Sequence, residues 1–183
     1  YSSNFTRGAK GLWEVIQIHN LIYAKYTQDR NPTLDEMRNM AYQTLTNGSK
    51  GLFLFAYHWL FFDFDKEGNR IYDQKAFNKR WADIQKLVQE IKPFTDVILE
   101  DQKVDLKAIS PSSVPYQAWQ YGGKLYVMTV NTSEDKSKSL KLQIPAGWRL
   151  SDTTVPGIKS QLSEGALSLD FDPVASGVIV LEQ

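Results

Sequence analysis

The 183-residue sequence contains no cysteine. That absence excludes disulfides, thiolate metal sites, iron–sulfur clusters and a cysteine nucleophile. It does not fix the compartment, because a core of ordinary size needs no covalent staple in either redox environment. Net charge is missing as well: 21 Lys and Arg balance 21 Asp and Glu, and the pI is near 6.9. Without a broad basic field, neither a nucleic-acid partner nor attraction to anionic lipid is expected. No apolar run approaches the roughly 20 residues of a membrane-spanning helix. Glycine-rich phosphate and dinucleotide loops are absent, as is a serine nucleophile elbow, and no cofactor and no metal are expected. The chain opens on Tyr1-Ser2-Ser3 with no initiator Met and no basic-then-apolar leader. It therefore reads as lacking a signal peptide and as a mature or excised piece. What is abundant is aromatic surface: 9 Phe, 9 Tyr and 5 Trp make up 13% of the chain. Such side chains fill cores, and they also offer the flat apolar faces on which sugar rings stack.

The pattern changes character near residue 100. Before it, Gly11–His19 reads as a mostly buried strand. Thr33-Leu34-Asp35-Glu36 has the capping-box form, and Met37, Met40, Ala41, Thr44 and Leu45 follow at helical spacing up to Gly48, a left-handed helix stop. Lys50–Trp59 is so nearly unbroken in apolar character that it reads as a strand covered on both faces. Beyond a polar loop, Phe77, Trp81, Ile84, Leu87, Val88 and Ile91 form the apolar stripe of a second helix, which Pro93 ends. Strand, helix, strand, helix implies parallel strands, and two strands cannot cover themselves, so residues 1–101 read as part of a larger α/β sheet or barrel.

In residues 102–183 short alternating runs replace this pattern. Tyr116–Tyr121 and Lys124–Asn131 meet across Gly122-Gly123, a two-residue hairpin signal. Ser139–Ile144 and Leu167–Phe171 alternate, Ser176–Leu181 is a final apolar run, and Ser133–Lys138 reads as a polar hairpin tip. Five to seven antiparallel strands without helices indicate a small β-sandwich.

Pro32-Thr33, Glu36-Met37-Arg38, Ala41-Tyr42, Asn47-Gly48 and Lys50-Gly51 leading into an aromatic strand resemble the last quarter of a glycoside hydrolase barrel. Arg80-Trp81, Ile84, Leu87, Glu90-Ile91 and Val97-Ile98-Leu99 are similar to the final helix and exit of such enzymes, which a β-sandwich then closes. The resemblance implies an α/β plus all-β chain: two closing βα units of a (β/α)8 TIM barrel, then an accessory sandwich. Gly11–His19 would be the seventh barrel strand and Lys50–Trp59 the eighth. It further implies a carbohydrate substrate, an N-terminal remainder of the barrel supplied by the same protein or a partner chain, and an extracellular or periplasmic setting.

Active sites of such barrels lie at the carboxyl ends of the strands. Here that rule selects Gln17, His19 and Asn20, then Tyr57, His58 and Trp59, and both histidines of the chain fall among them. Gln17, His19, Tyr57, His58 and Trp59 are the candidate substrate-binding residues. Trp59 would stack a pyranose, while the amide and imidazoles would hydrogen-bond hydroxyls. Each also has a structural reading, as a strand-end hydrogen bonder or a barrel-cap core residue. Glycoside hydrolysis needs two carboxylates about 5–10 Å apart. The resemblance would put one at the end of the seventh strand, but the only acid there, Glu14, lies near its start. No catalytic residue is therefore assigned, the pair is expected outside this chain, and the chain alone is expected to be inactive. Asp63, Asp65 and Gly68 mimic the start of a calcium loop, but Gln74 replaces the bidentate Glu at its twelfth position. Asn4, Asn47 and Asn131 begin common glycosylation tripeptides. Two rivals remain: a carbohydrate-binding module using Trp119, Tyr121, Tyr126 and Trp148, and a purely structural fragment.

Overall fold

The computed structural model describes residues 11–20, 30–65, 67, 69–110, 112–151 and 155–183. The capping box forms as its spacing predicts: the Glu36 amide donates to Thr33 Oγ1 (3.2 Å) and the Thr33 amide to Glu36 Oε2 (2.7 Å). Arg30 forks onto the same carboxylate at 2.7 and 2.6 Å. Hydrogen bonding from Arg30 is the largest cause that lowers the Glu36 pKa to about 2.

The capped helix, α1 (Leu34–Thr46), joins strand β1 (Leu12–Gln17) to strand β2 (Ser49–Phe55). The two strands are parallel neighbours, with Val15 opposite Phe53 and Gln17 opposite Phe55. The Phe55–Ala56 peptide is cis. A 3₁₀ turn (Tyr57–Phe61) then leads into a two-stranded hairpin, β3 (Phe62–Phe64) and β4 (Arg70–Tyr72). Helix α2 (Gln74–Ile91) is capped by Asp73, which accepts from the Ala76 amide. A 3₁₀ turn through Pro93 passes into the short helix α3 (Thr95–Glu100).

Two strand expectations need correction. The strand expected over Lys50–Trp59 ends at Phe55, because the chain turns at Ala56 although its aromatic character continues. The expected cover on both faces is present on one only. Ile16, Ile18, Leu52 and Leu54 pack with Met37, Ala41, Leu60, Ile84 and Leu87. On the opposite face Trp13, Val15, Phe53 and Phe55 are 56, 62, 56 and 47% exposed. Gly51 belongs to this face because the Trp13 ring lies across it: a Cβ there would sit 2.5 Å from the indole.

The remaining strands are β5 (Lys103–Val104), β6 (Tyr116–Tyr121), β7 (Lys124–Val130), β8 (Lys138–Gln143), β9 (Arg149–Leu150), β10 (Ile158–Ser163), β11 (Ala166–Phe171) and β12 (Ser176–Glu182). They form two antiparallel sheets, of order β5-β6-β7-β12-β9 and β10-β11-β8. Gly122 and Gly123, with φ +57 and +75°, make the tight β6–β7 turn. Ser133–Lys138 is a crossing between the sheets and not the expected hairpin tip, since β7 pairs with β6 and β12 while β8 pairs with β11. Leu125, Val127, Leu140, Leu142, Leu167, Leu169 and Phe171 belong to one core cluster contributed by both sheets. The outer face of the larger sheet is also covered. Trp119, Met128, Val130, Val178 and Val180 cluster with Tyr42, Leu45, Val97 and Ile98 of α1 and α3. That double cover explains why β7 and β12 read as apolar runs without alternation.

Polar groups fasten this junction. Asn39 on α1 donates to the Asn131 carbonyl (2.8 Å) and the Val174 carbonyl (2.9 Å). Asp101, left-handed at φ 55°, accepts from Trp119 Nε1 (3.1 Å) and pairs with Lys50 (2.7 Å). Burial acts to raise the Asp101 pKa, but hydrogen bonds from Lys50 and Trp119 outweigh it and hold the carboxyl below its ordinary range. Among the described residues no helix is long and apolar enough to cross a membrane.

Candidate functional site

The carboxyl ends of β1 and β2 gather Gln17, His19, Asn20, His58 and Trp59. Gln17 is half-buried and donates from Nε2 to the His19 carbonyl (2.6 Å). His19 is buried, with Nδ1 against the Asn20 carbonyl. Its ring stacks on Trp59 at 5.8 Å and 26°, with Phe55 5.6 Å away. Burial, reinforced by the nearby His58, lowers its pKa below the ordinary histidine value despite the opposing backbone hydrogen bond, and so favours the neutral imidazole. His58 is exposed and lies 4.9 Å from Trp59. Tyr57 turns elsewhere: it sits edge-on to Phe61, Phe77 and Trp81 at 5.5–5.8 Å.

Trp59 is boxed in more tightly than an open platform. Phe62 and Phe64 approach it from the β3–β4 hairpin at 6.3 and 6.0 Å, and the Arg70 guanidinium lies over its ring, 4.8 Å from the centroid. A polar chain supports this rim. The Asn20 amide donates to Asn31 Oδ1 (2.9 Å), and Asn31 Nδ2 donates to Asp63 Oδ1 (3.3 Å). Asp63 also pairs with Arg80, whose Nη1 donates to the Leu60 carbonyl (2.8 Å). The Asn20 side-chain oxygen is buried without a hydrogen-bond partner among the described residues. A buried acceptor in that state is suited to a donor from a ligand or from further chain. On the other side of β1, Gln17 lines an opening of about 430 Å³ with Arg30, Glu36, Gln43, Thr132 and Glu134. The antiparallel part of the chain thus reaches the edge of the strand ends.

Sequence reading missed the hairpin and its Arg70. The signal was present: Phe62-Asp63-Phe64 and Arg70-Ile71-Tyr72 alternate on either side of a polar turn. The spacing predicts only a polar loop there, with the start of a calcium-like pattern and no bidentate Glu to complete it. Lys66 and Gly68 lie outside the described residues. Asp63 is taken by Arg80, and Asp65 Oδ1 accepts from the amides of Glu67 and Asn69. No three potential metal ligands converge among the described residues. Asn4 also lies outside them. Glu14 is half-buried near the start of β1, at the far end from the histidines. Trp119, the first aromatic proposed for a platform on the sheets, is 1% exposed beneath the helices.

The sequence matches no protein-family model and no curated protein. Solved structures that align with this chain include a GH30 endoxylanase from Clostridium papyrosolvens, 15% identical with a TM-score of 0.47, over 100% of this chain and 45% of that one. An α-fucosidase from Thermotoga maritima, 11% identical with a TM-score of 0.39, aligns over 93% of this chain and 40% of its own. The chain spans less than half the length of either, and neither alignment assigns a role to any of its residues.

Proposed function

We propose that the chain is the carboxy-terminal portion of a glycoside hydrolase: two closing βα units of a (β/α)8 barrel over residues 1–101 and an accessory β-sandwich over 102–183. The observation that carries this reading is the parallel β1–β2 pair. One face is packed by helices, the other exposes Trp13, Val15, Phe53 and Phe55, and the carboxyl ends gather hydrogen-bonding and aromatic groups. A parallel sheet is normally covered on both faces. An uncovered face of four large apolar side chains is what two strands cut from a closed ring would leave. In this reading Gln17, His19, His58 and Trp59 form part of a saccharide-binding wall, and Tyr57, turned toward Phe61, Phe77 and Trp81, lies beside it. The catalytic carboxylates belong to the missing strands. Burial of Trp119 speaks against the rival module that binds glycan on the sheets. It favours a sandwich that acts by bracing the barrel helices.

Alanine substitution of Tyr57, His58 or Trp59 in the longer protein tests the reading. Glycan turnover should fall in at least one variant while the fold survives. Unchanged kinetics in all three would end it.

A further inference from the structure

Arg70 stands out at this rim. An exposed arginine ordinarily extends into water or pairs with a neighbouring carboxylate. This one lies over two rings, 4.8 Å from the Trp59 centroid and 5.8 Å from that of Phe62, and no carboxylate of the described residues pairs with it. The acids of its own hairpin are engaged elsewhere. Asp63 is held by Arg80 and Asn31, and Asp65 turns back onto the Glu67 and Asn69 amides. A guanidinium over an aromatic ring uses its face for the cation–π contact and keeps its in-plane N–H edge for an acceptor. That edge matches the two oxygens of a carboxylate. The stem is also held in place: Arg70 sits opposite Phe64 in the hairpin register, and the same strand face carries Phe62, Phe64 and Arg70 against Trp59.

We propose that Arg70, laid over Trp59 and Phe62, is a receptor for the carboxylate of an acidic sugar residue, so that the saccharide taken at these strand ends is a uronate-bearing one. The inference rests on the saccharide-site reading above and adds its substrate class. Trp59 then acts less as an open stacking platform than as the support that orients the guanidinium. The exposed His58, beside Trp59, is a second donor within the same rim.

The test uses the longer protein with glucuronate, galacturonate and mannuronate trisaccharides, each compared with its neutral counterpart in which the carboxyl is reduced to CH2OH. The quantity read is the ratio of the two affinities. At least one uronate should bind about tenfold better than its counterpart, the scale of one charge-assisted pair, and the preference should shrink as salt rises. Arg70→Gln should bring the ratio to near one. Arg70→Lys, which keeps the charge but loses the fork, should give an intermediate value. Arg70 is exposed, so both variants should melt with the parent. A ratio near one in the parent, or a preference undiminished in Arg70→Gln, overturns the proposal while leaving the saccharide site standing. Failure of both uronates and neutral sugars to bind overturns the two together.

Discussion

Two sheets in this chain carry nearly the same apolar signal and meet opposite fates. Strands β7 and β12 are antiparallel yet buried on both faces, by the second sheet on one side and by α1 and α3 on the other. Strands β1 and β2 are parallel, the arrangement that ordinarily demands two covers, and have one. Beside the open face lies an apolar groove of about 400 Å³ between β2, α1 and α2, lined by Trp13, Leu45, Leu52, Leu87, Ile91 and Ile98. The antiparallel strands therefore find both covers within the described residues, whereas the parallel pair finds one. Apolar runs report how much cover a strand needs, and they do not report whether the chain in hand supplies it.

The contrast can be pressed hardest where the core is closed. Leu169→Ala, at a fully buried position between the two antiparallel sheets, should lower the unfolding free energy by about 3 kcal/mol. Denaturant melts would check this, and a loss below about 1 kcal/mol would mean that the two sheets are loosely packed. Asn39→Ala comes next. It strands the Asn131 and Val174 carbonyls at the junction and should cost about 1–3 kcal/mol, with faster amide exchange in both segments. Equal exchange would show that the helices and sheets do not depend on that clasp.

The open face should behave in the reverse way. Val15→Thr combined with Phe53→Ser should change the stability of the 183-residue chain by less than about 0.5 kcal/mol and reduce its self-association, as read by sedimentation. The same pair in the longer protein should be strongly destabilising. A further effect concerns acid. The Glu36 pKa drops from 4.5 to about 2 on folding, so the unfolded chain binds the proton first. The stabilisation it provides is whole above pH 4.5, is lost as the pH falls toward 2, and is absent in Glu36→Gln. Acid melts of the two proteins should therefore converge over that window, and parallel curves would place the lowered pKa elsewhere.

Much of this contrast was legible in the residues, for identifiable reasons. The Thr33–Glu36 box and Gly122-Gly123 announce their structures because their chemistry has few other uses. The order of strands and helices follows from periodicity. The end of β2 was not legible, because Ala56-Tyr57-His58-Trp59 stays apolar and aromatic while the backbone turns. Strand β10 escaped because Lys159, Ser160 and Gln161 break its apolar run, and its turn places a non-glycine residue, Glu164, at positive φ. At the rim, the strand-end rule gathered His19, His58 and Trp59 but not Arg70. Its position depends on a hairpin register that pairs it with Phe64, and alternation alone does not fix the partner.

The account stands on the claim that β1 and β2 are neighbours from a larger closed sheet. Since the chain contains no cysteine, Val15→Cys places a single thiol on the open face. Its alkylation rate, followed by mass spectrometry of the peptide that carries it, should be compared in this chain and in the longer protein. Rapid labelling in the former and strong protection in the latter is the predicted result; equal, rapid labelling in both would contradict the claim.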